Sequence, residues 1–221
     1  NYLRPICSKL IVIDDLADRH HNCDILLDQN LGRHADDYRD LVPYECTILV
    51  GPRYAILRAE FFMLRERSLS RRKKHKLRRI LIAMGGVDQF DMTGKVLRAL
   101  SQCRLPEGCN IKVILGATAP HLLNVRKQVK IMPHPTTLEV DVPNMAQLMA
   151  DSDLSIGAPG TTSWERSCMG LPAILIILAE NQRLVAGSLQ SCGAALIIED
   201  SDSLRTSLQL GIEKLSEASA L

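Results

Sequence analysis

Small, hydroxyl-bearing and acidic residues concentrate at two turns of this chain. One is Gly157-Ala158-Pro159-Gly160-Thr161-Thr162-Ser163-Trp164-Glu165, directly after Leu154-Ser155-Ile156. The other is Met84-Gly85-Gly86-Val87-Asp88, after Ile80-Leu81-Ile82-Ala83. A helix-like pattern follows each. Helix N-termini carry unpaired N–H groups and a partial positive charge, so such turns can hold phosphate. Gly160, Thr161 and Thr162 supply N–H and hydroxyl donors, and two such turns in one α/β unit suit a diphosphate gripped from two sides. Glu165, one turn into its helix, can accept two hydrogen bonds. Each feature also has a plainer role. Any βα turn needs a glycine and an N-cap, and a first-turn Glu complements the helix dipole or completes a capping arrangement with Thr161 or Thr162.

The elements that must position these groups are legible from residue 79 onward. Strands are expected at 79–84, 111–115, 153–157, 172–177 and 194–198, and helices at 91–103, 119–130, 144–151, 161–169, 181–192 and 201–217. The strand runs are continuously apolar, as in Ala173-Ile174-Leu175-Ile176-Ile177, which is the mark of parallel strands buried on both faces. Strand–helix alternation with short Gly- or Pro-containing turns predicts a doubly wound α/β sheet. Ligands of such sheets bind beyond the carboxyl ends of the strands, where both turns fall.

With 221 residues, 46% of them hydrophobic, the chain can build a core for one or two domains. A net charge of +2 does not call for a nucleic-acid partner. No run approaches the 18 or so apolar residues of a membrane span, and no secretory signal opens the chain. Seven cysteines without a C-x-x-C pair read as thiols in a reducing cytoplasm. Asp14-Asp15 and His20-His21 lack a second Cys/His group at ligand spacing, so neither a metal nor a cofactor is expected.

Residues 1–65 have a different texture. Strands are expected at 9–16, 24–29 and 47–51, joined by polar loops with little room for covering helices. Starting at Asn1 rather than Met, this segment reads as the C-terminal part of a Rossmann-like domain whose front is missing. The stretch 66–78, with Arg71-Arg72-Lys73-Lys74-His75-Lys76, reads as a solvated basic linker, since no aromatics for base stacking lie nearby. The second domain then runs over 79–221.

The run Asp14-Asp15, His21-Asn22-Cys23-Asp24-Ile25-Leu26-Leu27-Asp28-Gln29-Asn30, Asp37-Tyr38, Leu41-Val42-Pro43 and Gly51-Pro52-Arg53-Tyr54-Ala55-Ile56-Leu57-Arg58-Ala59-Glu60-Phe61 resembles the PseG family. Its members are UDP-2,4-diacetamido-2,4,6-trideoxy-β-L-altropyranose hydrolases of pseudaminic acid synthesis. Met84-Gly85-Gly86-Val87-Asp88 is similar to the family's Gly-Gly-x-Asp turn, and Asn181-Gln182 to its Asn-Gln pair. The family is similar to MurG and shares the GT-B architecture, two Rossmann-like domains with a UDP-sugar between them. The resemblance therefore implies a UDP-sugar substrate, with UDP released by water attack at the anomeric carbon.

By the same resemblance, Gly85, Gly86 and Asp88 belong to the substrate site. Glu165 would hold the ribose and Gly160, Thr161 and Thr162 the diphosphate. Val142 and Met145 would lie beside uracil, although Met145 taken alone reads as core. Asn181 and Gln182 would meet the sugar, although an Asn there also suits a helix cap. Arg58 would pair with phosphate, or else be a surface arginine. The family's catalytic histidine sits on a Gly-x-Gly-His turn, and none of His20, His21, His34, His75, His121 and His134 does. No catalytic residue is assigned, and little turnover is expected from this chain alone, since a positioned base contributes about 10²–10⁴-fold. Two other classes remain open: a MurG-like glycosyltransferase using a UDP-sugar donor, and a non-catalytic nucleotide-sugar-binding fragment.

Overall fold

Short apolar runs fold into two parallel sheets in the computed structural model, which describes residues 3–73, 76–199 and 203–218. The first sheet has the order β1 (Ile11–Ile13), β2 (Ile25–Asp28), β3 (Thr47–Val50). The helix α1 (Ala59–Arg72) follows. The second sheet contains β4 (Arg79–Ala83), β5 (Asn110–Leu115), β6 (Thr136–Val140), β7 (Leu154–Gly157), β8 (Ala173–Ile176) and β9 (Ala195–Ile198). Between its strands run α2 (Met92–Leu100), α3 (Leu122–Val129), α4 (Met145–Asp151), α5 (Thr162–Met169) and α6 (Arg183–Ser191), with α7 (Leu204–Ala218) last.

The six strands lie in the order β6-β5-β4-β7-β8-β9, all pairs parallel. Chain order thus reverses between β4 and β7, where Ile80 pairs Leu154 and Ala83 pairs Gly157. A parallel sheet that winds outward in both directions leaves a crevice at this reversal, at the carboxyl ends of the strands. Alternation along β4 divides the core. Ile80 and Ile82 pack with Val96, Leu97, Leu100 and Leu208 on one face. Leu81 packs with Phe61, Ala146, Met149 and Met169 on the other.

Each expected strand has a counterpart, and most elements are shorter than expected by one to three residues at an end, while β5 begins one residue earlier and α7 ends one residue later. The region expected as one helix over 181–192 is a 3-10 turn, Glu180–Gln182, followed by α6. Lys74 and His75 of the basic run, and residues 201–202 of the last expected helix, lie outside the described residues.

The solvated linker expected over 66–78 is corrected as far as Arg72. This stretch is the second half of α1, which packs on α4 and α5. Phe61, Ser68 and Arg72 are buried along its length. The Arg72 guanidinium donates to the carbonyls of Met149 (2.7 Å), Ser152 (2.9 Å) and Met169 (2.6 Å), and Arg65 donates to the Cys168 carbonyl. An arginine stem carries apolar surface, and its fork can satisfy several carbonyls at once, so a basic side chain works here as an internal tie.

The first sheet is covered mainly on one face, by a cluster of Cys23, Leu26 and Tyr38. On β1, Ile11 and Ile13 are 60% and 62% exposed. Tyr38 is fully buried, with its hydroxyl 2.9 Å from Asp14 Oδ2 and 2.8 Å from Asp28 Oδ2. Asp28, also fully buried, further accepts from Arg33 Nε (3.1 Å) and the Asn30 N–H (2.8 Å). Tyr38→Phe strips a shared partner from two carboxylates, and should cost about 1–3 kcal/mol. Urea denaturation measures this; an unchanged midpoint would mean that Arg33 and the backbone donors suffice.

Candidate functional site

The turn after β7 is built around its own side chains. The Gly160 N–H donates to Ser163 Oγ (3.3 Å), and the Ser163 and Trp164 N–H groups donate back to the carbonyls of Gly160 (2.8 Å) and Thr161 (3.1 Å). Among the described residues the Thr161 and Thr162 N–H groups have no acceptor. The Thr162 hydroxyl accepts from Arg166, so its own proton remains to donate. At the far end α5 closes on Gly170 at φ 57, with the Leu171 N–H reaching back to the Arg166 carbonyl (2.9 Å). Gly170 provides the left-handed residue that this helix ending requires.

Gly160 and Thr161 face a cleft of about 360 Å³ whose opposite wall comes from the first sheet. Asp14 and Asp15 follow β1, Gln29 and Asn30 follow β2, and Asn181 and Gln182 form the 3-10 turn after β8. Gln182 Oε1 accepts the Leu178 N–H (2.8 Å), which leaves its amide nitrogen as a donor. Neither Asn181 nor Gln182 caps α6 through its side chain. Gln29 Oε1 similarly accepts the Ile56 N–H (3.0 Å) and ties the cleft wall to the segment before α1.

Glu165 stands one turn deeper, half-buried, with no hydrogen-bond or salt-bridge partner among the described residues. Burial raises its pKa above the ordinary glutamate value, the charges of Arg58 and Arg166 oppose that rise, and Glu60 adds to it. Arg58 donates to the Pro143 carbonyl (3.2 Å), pairs with Glu60 (2.9 Å) and lies 5.3 Å from the Phe61 ring centroid. The Arg58–Pro143 bond brings the start of α1 against the loop of Val142 and the first residue of α4, Met145, both packed beside the Phe61 core.

Gly85, Gly86 and Asp88 occupy the end of β4, the other strand of the reversal. Asp88 accepts the N–H groups of Met92 (2.9 Å) and Thr93 (2.8 Å), one on each carboxylate oxygen. Its carboxylate is spent on the N-terminus of α2 and shapes the turn from within. Gly116 allows the Gly86 carbonyl to come close: a Cβ at Gly116 would lie 2.4 Å from that oxygen.

Of the residues expected at the site, Gly160, Thr161, Asn181 and Gln182 share the cleft, while Arg58, whose charge acts on Glu165, is tied to the segment of Val142 and Met145 outside it. Gly85, Gly86 and Asp88 flank the crevice without lining that cleft. Sequence inspection missed Asp14, Asp15, Gln29 and Asn30 as cleft residues. Their common signal is position, each pair following the apolar run of a parallel strand.

Trp164 is buried among Leu175, Val185 and Leu189, with Leu31, Ala55 and Leu57 against it, a packing role. Among the described residues no helix is long and apolar enough to cross a membrane.

Known proteins agree with this architecture. The chain is 32% identical over 145 residues to the UDP-2,4-diacetamido-2,4,6-trideoxy-beta-L-altropyranose hydrolase of Campylobacter jejuni, covering 66% of this chain and 48% of that protein. It is 33% identical over 149 residues to the spore coat polysaccharide biosynthesis protein SpsG of Bacillus subtilis, covering 67% of this chain and 43% of that protein. The chain spans less than half the length of the curated relatives it matches. The crystal structure of MurG from Acinetobacter baumannii superposes with a TM-score of 0.59 at 18% identity, over 99% of this chain and 64% of that one. The fold is therefore that of the GT-B glycosyltransferases. The family model for the glycosyltransferase family 28 C-terminal domain matches residues 79–220, and the chain belongs to that family.

Proposed function

We propose that the crevice binds a UDP-sugar and serves its hydrolysis. The observation that carries this reading is Glu165, a half-buried carboxylate without a partner, one turn from two free N–H groups at the start of α5. A carboxylate so placed accepts both hydroxyls of a ribose while the N–H groups and the Thr162 hydroxyl receive the diphosphate. The loop 142–145 is the segment we assign to uracil, with Arg58 on its carbonyl. Asn181 and the amide nitrogen of Gln182 extend the site toward the sugar, opposite Asp15 and Asn30. Support for water as the acceptor comes from the identity with the Campylobacter hydrolase. Transfer of the sugar to another acceptor is the second reading, favoured by the family itself and by the likeness to MurG.

Titration calorimetry with UDP, ADP, GDP and CDP tests the nucleotide assignment. UDP should bind most tightly, because a backbone-read base edge discriminates by its donor and acceptor pattern. Equal affinities, or no binding of UDP, would overturn it.

A further inference from the structure

Arg166, in the middle of α5, is only 3% exposed. Its guanidinium donates to the Ala158 carbonyl from Nη1 (3.4 Å) and Nη2 (3.1 Å), and from Nη2 to the Thr162 hydroxyl. Both acceptors belong to the 158–162 turn whose Gly160 and Thr161 face the cleft. Among the described residues no carboxylate forms a salt bridge with Arg166, and burial lowers its pKa to about 10. Gly157 provides the space for this arrangement. A Cβ there would lie 2.7 Å from the Ala83 carbonyl and 3.0 Å from Arg166 Nη2. Arg72, the other deeply buried arginine, is tied to carbonyls between α1, α4 and α5. Neutral acceptors satisfy the donors of this buried guanidinium, and its charge is offset only by the longer-range attraction of Glu165 rather than by a paired counter-ion. The charge of Arg166 sits behind a turn that already presents unpaired N–H groups.

We propose that Arg166 is a positioning residue for the diphosphate: its buried positive charge, held behind the 158–162 turn, is matched by the anion when the nucleotide binds. The proposal rests on the UDP-sugar reading above and adds the residue that makes the site selective for the charged part of the ligand. The three hydrogen bonds hold the turn in its anion-accepting shape, and the charge lowers the free energy of the bound dianion. At a pH where Glu165 is fully ionised, neither effect reaches an uncharged nucleoside.

Arg166→Gln and Arg166→Met remove the charge with and without retained donors, and Arg166→Lys keeps it. Affinities of the full chain for UDP, inorganic pyrophosphate and uridine would be measured alongside melting temperature. In whichever neutral variant folds, UDP and pyrophosphate affinity should fall by about tenfold or more, in keeping with a lost interaction to a charged group, with uridine affinity kept within about twofold. Arg166→Lys should recover at least half of the loss on a logarithmic scale. Equal losses for UDP and uridine, unchanged UDP binding, or an Arg166→Lys variant no better than Gln would overturn the assignment. Failure of the unaltered chain to bind UDP would overturn the nucleotide site, and this proposal with it. Normal UDP binding by Arg166→Gln would sink the Arg166 role alone.

Discussion

Phe61→Ala is expected to destabilise the fold by about 3–5 kcal/mol, the usual cost of removing a large aromatic from a packed core. Phe61 has no solvent exposure and meets Leu81 of β4, Ala146 and Met149 of α4, and Met169 and Leu171 around the end of α5. It therefore fastens α1 to the central strand and to both helices beside the crevice. Guanidinium denaturation should show an earlier midpoint with the dependence on denaturant unchanged. A loss below about 1 kcal/mol would mean that the α1 contact collapses easily around the missing ring.

Glu165→Ala should weaken UDP binding by about 1.5–3 kcal/mol, the range for hydrogen bonds to a charged group. The fold should survive, because a first-turn carboxylate stabilises its helix by only about 0.3–1 kcal/mol. The pH dependence has a definite sign. Burial raises the Glu165 pKa, and the ionised form is the one that accepts two hydroxyls. Affinity for uridine, which has no phosphate to titrate, should rise as pH climbs through that elevated pKa and then level off. Glu165→Gln should flatten the rise. In the ligand-free protein the raised pKa favours the folded state at low pH, and that contribution is lost as pH increases through it. At neutral pH Glu165→Gln should therefore leave the melting temperature unchanged or slightly higher. Loss of binding accompanied by a large fall in melting temperature would return Glu165 to a structural role.

The parts of this fold that were legible are those where one physical effect dominates. β7 and β8 are buried along their whole length, and β8, Ala173-Ile174-Leu175-Ile176, reads as a short apolar run. β6 was missed because Thr136, Thr137 and Glu139 on an edge strand carry too little hydrophobic signal. α1 was partly hidden for another reason. Its arginines suggest solvent, yet Arg72 is 5% exposed, because carbonyl groups at the ends of α4 and α5 need donors that only the folded arrangement reveals. The site divides in the same way. Glycine-rich turns and Glu165 are local features, visible as spacing. The contributions of Asp15, Asn30 and the Arg58–Pro143 bond depend on which strand ends and loops meet across the cleft. Asp88 shows the converse, a residue whose type suggests a ligand contact and whose two oxygens are taken up by its own helix.

The reversal of strand order also bears on how the protein reaches this structure. Along the second sheet, every neighbouring pair but one joins strands that follow each other in the chain. The exception is β4 with β7, whose register of Ile80 with Leu154 spans two intervening strands and three helices. Closing so long a stretch costs more chain entropy than any other pairing in that sheet, and distant pairings are the slow ones. During synthesis β4 can recruit β5 and β6 long before β7 has emerged. The crevice therefore exists only after the least local contact of the sheet has formed, so competence to bind waits on the joining of the sheet's two halves.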